Sequence, residues 1–168
     1  MADGYRGIFG AFPYAFRSSD SWIFRSYVVV SSLVALLIAL LFIFALIVLI
    51  GRTASVEGGT FTLSRAFYVV IALFLVSPVI APTLLVARRH RRGIERRRGY
   101  DARIALAGYL FILALYVGTV IAVPPASQTT PTGPLAAVGA FLYSLPRAFG
   151  VVPPVLAAVL IVLVHRRR

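Results

Sequence analysis

Few side chains in this sequence could carry out chemistry. There are two histidines, His90 and His165, five acidic residues and no cysteine. Neither histidine has a second ligand at metal-binding spacing, and no two carboxylates share an apolar segment, so neither a metal centre nor an acid/base pair is predicted. We expect both histidines to be solvated. No cofactor is predicted, and an enzyme is the least supported class; a membrane enzyme would depend on residues from a partner.

The clearest charged cluster is a basic run over residues 88–98, RRHRRGIERRR. The role favoured first is contact with anionic lipid headgroups, which contributes about 1 kcal/mol of binding free energy per basic residue near a membrane surface. The second is binding to an acidic partner protein. Nucleic-acid binding is disfavoured, because only Tyr100 is nearby to stack on a base and the sequence shows no recognisable nucleic-acid-binding fold. The arginines proposed for lipid or partner contact are Arg88, Arg89, Arg91, Arg92, Arg96, Arg97 and Arg98.

The amino-acid composition of the whole sequence is typical of a membrane protein. The 168 residues are 60% hydrophobic, and their mean hydropathy is +0.93. Both values exceed what a soluble domain shows. The net charge of +12 comes from 17 arginines, with no lysine, against five acids. With this hydropathy, the basic charge indicates an anionic membrane surface before nucleic acid.

Four apolar segments are predicted to cross the membrane, at about 27–50, 66–87, 104–123 and 147–165. The first has no charge and would be about 36 Å long as a helix, against a hydrocarbon core of about 30 Å. The last is near the lower limit of length, and Ser144 as N-cap would let its helix start early. We therefore predict a single all-α domain over 1–168, an integral membrane four-helix bundle.

Ionisable residues inside a membrane usually mark ion pathways or buried catalysis. The interiors of the four predicted spans contain none, and their polar groups are hydroxyls. This argues against a proton-coupled or cation-coupled carrier acting alone.

The charges also predict the topology. A cytoplasmic basic loop at 88–103 places both termini in the cytoplasm and 124–146 outside, because spans alternate sides. Fourteen arginines are then inside and three outside. Short loops rich in arginine remain cytoplasmic, so this orientation is strongly favoured over its inverse.

The first 26 residues are rich in aromatic side chains. Ile8, Phe9, Phe12 and Phe16 would share one helix face, which predicts an amphipathic segment in the membrane interface, interrupted at Pro13. Residues 18–21, SSDS, form a cluster of potential N-cap residues before the first span. The aromatic residues serve as a headgroup-level belt or, alternatively, as a docking surface for a partner.

Two spans carry small residues at intervals of four, where another helix can approach closely. We predict that the first and third spans pack together, or that one of them meets a second subunit. The residues concerned are Ser31, Ala35 and Ala39 in the first span and Ala114, Gly118 and Ala122 in the third.

Prolines are predicted to bend two spans, at Pro78 and Pro82 in the second and at Pro153 and Pro154 in the fourth. Each removes a backbone donor and displaces the preceding turn. A bent span can be a hinge or can line a ligand path, which supports a transporter or channel component. Prolines are also common in membrane helices without such a role.

The outer segment divides into two parts. Residues 124–134 are rich in proline and are predicted to form no regular structure. Residues 135–145 are apolar but too short to span. They form an interfacial helix, a re-entrant segment or a lip over the bundle.

Residues 12–22, FPYAFRSSDSW, lead into the long apolar run, and this opening resembles small uncharacterised multi-pass membrane proteins of halophilic archaea. The resemblance implies residence in the cell membrane and supplies no active-site residues. The leading functional hypothesis is a non-catalytic membrane subunit or scaffold that acts by helix packing and a basic cytoplasmic face. Expected partners are anionic lipid headgroups and a second copy or another membrane protein.

Overall fold

The computed structural model describes residues 7–53, 59–93 and 99–166, excluding the side chains of residues 53 and 59–62. These residues are predominantly helical, which confirms the all-α prediction. The α-helices are α1 (Gly7–Ser18), α2 (Trp22–Thr53), α3 (Gly59–Arg91), α4 (Tyr100–Ala122), α5 (Ala136–Ser144) and α6 (Val152–Arg166), with 3₁₀ helices at Pro125–Ser127 and Arg147–Val151.

Four helical stretches are long and apolar enough to cross a membrane, as predicted: Trp22–Arg52, Leu63–Arg91, Tyr100–Ala122 and Arg147–Arg166. Their ends extend beyond the apolar runs. The last turn of α3 includes Arg88 to Arg91, and α4 begins at Tyr100, so the predicted basic loop at 88–103 is partly helical. Backbone hydrogen bonding continues the helix past the apolar run, so Arg88 to Arg91 extend from helical backbone.

The chain divides into two compact units, Met1–Ala102 and Arg103–Arg168. In the first unit α2 and α3 pack together and α1 packs against both. The pair is antiparallel, because Ser31 contacts Thr83 whereas the Phe42 ring contacts Tyr68. Side chains buried in this unit include Ala11, Ala15, Phe24, Tyr27, Val79, Pro82, Val86 and Ala87.

Local signals explain the helix ends of this unit. The Phe24 backbone N–H donates to Ser21 Oγ at 3.3 Å, so the last residue of the predicted cluster caps α2. After α3, Gly93 has a φ of +62° and its N–H donates to the His90 carbonyl at 3.2 Å. Glycine is favoured there because a left-handed residue ends the helix without steric cost.

The N-terminal helix differs from its prediction. Pro13 lies inside α1 and does not divide it. The face that packs inward is the small one, with Ala11 and Ala15 fully buried, whereas Phe9 is 92% exposed. Small side chains let α1 approach its neighbours closely and leave the aromatic rings outside.

In the second unit, α4 buries one face, which includes Ile104, Phe111 and Ile121. The proline-rich segment after it, predicted to be irregular, contains the 3₁₀ turn Pro125–Ser127. Ser144 ends α5 and donates to the Phe141 carbonyl at 2.7 Å. Its predicted role as N-cap of the last helix is therefore wrong, because the 3₁₀ helix Arg147–Val151, with Pro146 as its N-cap, lies between Ser144 and α6.

Candidate functional site

A polar junction in the first unit joins three segments that are far apart in sequence. Ser19 Oγ donates to Asp101 Oδ2 at 2.6 Å, and His90 Nε2 lies 3.0 Å from the same oxygen. Ser19 is fully buried, and the side chains of His90 and Asp101 are 12% and 18% exposed. The turn between α1 and α2, the end of α3 and the first turn of α4 therefore meet at one carboxylate.

The turn that presents Ser19 is stabilised by its own hydrogen bonds. The Ser19 N–H donates to the Ala15 carbonyl at 3.2 Å, and the Ser21 N–H donates to Ser19 Oγ at 3.3 Å. Arg25 Nε donates to the Ser19 carbonyl at 2.8 Å. These bonds hold the hydroxyl towards Asp101, because the backbone groups of the turn are already engaged.

The order of these three groups differs from that of an activated hydroxyl nucleophile. An activated hydroxyl nucleophile hydrogen-bonds to a base, which a third group orients in turn. Here Ser19 and His90 both bind Asp101 Oδ2, so the acid lies between them. Among the described residues, no group of three or more His, Cys, Asp or Glu could hold a metal ion.

Sequence reasoning missed this junction. Asp101 lies in the first turn of α4. The expectation that His90 is solvated is wrong, because its imidazole is largely buried against Asp101. No local signal could have found the pairing, since Ser19 and Asp101 are 82 residues apart.

The basic end of α3 adjoins the junction. Arg88, Arg91 and Arg92 are exposed. Arg89 is part-buried, and its guanidinium carbon lies 4.2 Å from the centre of the Tyr100 ring, a cation–π contact. The remaining predicted contact residues, Arg96, Arg97 and Arg98, lie outside the described residues.

The small residues of α2 lie along its contact with α3. Ser31 is fully buried, with Oγ 3.4 Å from Thr83 Oγ1. Ala35 is part-exposed, and Ala39 lines an apolar groove of about 300 Å³ with residues that include Tyr68 and Val76. The α2–α3 contact is thus polar where Ser31 meets Thr83, and it opens into an apolar groove at Ala39.

The small residues of α4 lie within the second unit. Gly118 is buried against Gly150, and a Cβ added to Gly118 would collide with the Gly150 carbonyl oxygen. A Cβ on Gly150 would lie 2.6 Å from the Gly118 oxygen and 3.2 Å from Ala122 Cβ. Ala114 is 8% exposed. The two backbones touch here because neither glycine has a side chain.

The four prolines occupy different settings. Pro78 and Pro82 lie inside α3, and Tyr27 Oη donates to the carbonyl of Val79, between them, at 2.5 Å. Pro153 and Pro154 lie in the first turn of α6, directly after the 3₁₀ segment. A first-turn proline costs no hydrogen bond within its own helix, because those N–H groups have no partner there. A kink at either site stays a prediction.

The four long apolar helices indicate a membrane protein of the multi-pass α-helical kind. The chain belongs to the family described as Domain of unknown function (DUF8056), whose family model matches residues 1–168. No curated protein and no solved structure matches the chain.

Proposed function

We propose that this protein is a non-catalytic subunit or scaffold of the cell membrane that acts by helix packing and a basic cytoplasmic face. The observation that carries the proposal is the attachment of the basic end of α3 to the junction. His90 binds Asp101 and Arg89 stacks on Tyr100, so exposed arginines extend from an anchored helix end. A surface that is ordered before binding loses less conformational entropy when a partner binds.

In the proposed arrangement the four spans form a bundle with both termini in the cytoplasm. The support is the distribution of fourteen arginines against three in the sequence. The resemblance of residues 12–22 to membrane proteins of halophilic archaea supports a cell membrane of such an organism. The proposed partners are anionic headgroups and an acidic surface on a second copy or another membrane protein.

The orientation can be tested with single cysteines, because the chain has none of its own. Cysteines replacing Arg52 and Arg92 should differ in intact cells. A membrane-impermeant thiol reagent should label the first and spare the second until the cells are opened. The reverse pattern would invert the proposed topology.

The subunit role can be tested by native mass spectrometry of protein extracted gently from its own membranes. A stoichiometric second protein, or a defined homo-oligomer, is expected. The triple variant Arg88→Gln/Arg91→Gln/Arg92→Gln should lose it. The matched control Arg52→Gln/Arg147→Gln, which removes exposed arginines elsewhere, should retain it. A lone monomer from wild-type membranes would contradict the proposal.

A transporter or channel component is the second candidate. The hydroxyls of Tyr27, Ser31 and Thr83 lie close to the prolines of α3. In this candidate function they hydrogen-bond to a solute that crosses the membrane. Cysteines placed beside Pro78 and Pro153 should then react with an impermeant thiol reagent. Uniform protection of both positions would remove this candidate.

A further inference from the structure

A second groove in the first unit lies between α1 and α2. It has a volume of about 500 Å³, within the range of about 300–1,000 Å³ typical of small-molecule pockets. Its walls are apolar apart from Arg17 and Ser32, and include Phe12, Val28 and Leu33. No acidic residue lines it.

The expected level of Trp22 in the membrane interface sets the depth expected for the groove. Its α2 wall begins at Val28 and ends at Leu33, about 9 to 17 Å along the axis from Trp22 at 1.5 Å per residue. Trp22 is 80% exposed, as expected for an indole at the headgroup level. One end of the groove is therefore near the headgroups and the other is within the hydrocarbon of one leaflet.

The charged side chain at the groove is that of Arg17, and it is exposed to a ligand. Arg17 is exposed in the last turn of α1, and no salt bridge to it occurs among the described residues. Arg25, in contrast, is engaged: its Nε donates to the Ser19 carbonyl, and its guanidinium lies 5.8 Å from the Phe16 ring centre. Arg17 can therefore meet an anion while its aliphatic stem covers the apolar wall.

We infer that this groove binds an anionic glycerophospholipid, with its phosphate at Arg17 and one acyl chain along α2. The apolar walls complement an acyl chain, and the arginine complements a phosphate, for which a guanidinium is well suited. The groove is separate from the basic end of α3, so this inference does not rest on the proposed function.

The headgroup contact is tested by native mass spectrometry of the full chain in detergent. The protein is titrated with phosphatidylglycerol and with phosphatidylcholine of the same acyl chains. Wild type should bind phosphatidylglycerol more tightly. Arg17→Gln should lose about fivefold in affinity for phosphatidylglycerol, the value of one basic contact, and a smaller factor for phosphatidylcholine, because the choline cation offsets the charge of its phosphate. Arg52→Gln, an exposed arginine at the other end of α2, is the control and should match wild type.

The acyl-chain contact is tested by filling the groove. Leu33→Trp should weaken binding of both lipids, and Val29→Phe, at a second lining position, should do the same. Leu41→Trp is the control, because Leu41 is similarly exposed, at 59% against 63% for Leu33, and lines neither groove described above. Circular dichroism establishes that each variant remains helical.

Three results would overturn the inference. Equal affinity of wild type for the two lipids would remove the anionic preference. Unchanged phosphatidylglycerol binding by Arg17→Gln would remove the phosphate contact. Leu33→Trp and Val29→Phe variants that both bind like Leu41→Trp would show that the bound lipids lie elsewhere.

Discussion

Ser19 and Asp101 form a hydrogen bond of 2.6 Å across 82 residues of sequence. The serine is fully buried, and the carboxylate also holds His90. This bond links the turn before α2 to the first turn of α4, close to the basic end of α3. Its loss should affect both stability and the proposed basic face.

Asp101→Ala should lower the free energy of unfolding by about 1–3 kcal/mol, because it leaves a buried hydroxyl and a largely buried imidazole without their acceptor. Ser19→Ala should cost less, since it removes one donor and leaves His90 paired. Unfolding in mixed micelles with increasing sodium dodecyl sulfate measures both. Ser144→Ala is the control, because its exposed hydroxyl bonds only within its own helix. Equal stability of Asp101→Ala and this control would contradict a structural junction.

Tyr27→Phe should lower the free energy of unfolding by about 0.5–1.5 kcal/mol, the net value of one hydrogen bond. Tyr27 is fully buried, and its hydroxyl reaches the Val79 carbonyl from the neighbouring helix. The matched change Tyr116→Phe, at a residue that is 67% exposed, should have little effect. A destabilisation common to both variants would exclude the hydrogen bond as the cause.

Gly118→Ala should lower the free energy of unfolding by about 1–3 kcal/mol, the usual cost of overpacking. Its new methyl would collide with the Gly150 carbonyl oxygen and lie 3.3 Å from Pro154 Cδ, so backbone must move. Gly51→Ala is the control, because nothing lies within 4 Å of a Cβ there. That change should stabilise α2 slightly, since alanine favours helix over glycine. Destabilisation by both would point to helix propensity and away from the close contact.

Ala15→Leu should weaken the packing of α1 in the first unit. Ala15 is fully buried, so three additional carbon atoms have no space. We expect a loss of about 1–3 kcal/mol and faster proteolysis within α1. Phe9→Leu, in the same helix at a side chain that is 92% exposed, should leave both properties near wild type. Resistance of Ala15→Leu to the protease would show that α1 does not depend on this contact.

The small-residue pattern shows how far sequence reasoning extends. Intervals of four singled out Gly118, because helical periodicity is local, but the partners predicted for it were the first span or a second subunit. The partner, Gly150, lies in a 3₁₀ segment that no periodicity marked. The close pair Ala11 and Ala15 was missed because the aromatic rings beside it gave the stronger pattern.

The sequence predicts the helical class, the four apolar stretches and the cap region before Trp22. These properties depend on composition and on neighbours within one or two turns, which the chain order specifies directly. Only the folded chain shows that His90 is largely buried against Asp101, that α1 packs through its alanines, and that Arg17 lies at an apolar groove. Each of these depends on side chains from separate helices meeting in space, and the free energy of such contacts is set by burial and geometry that no single segment encodes.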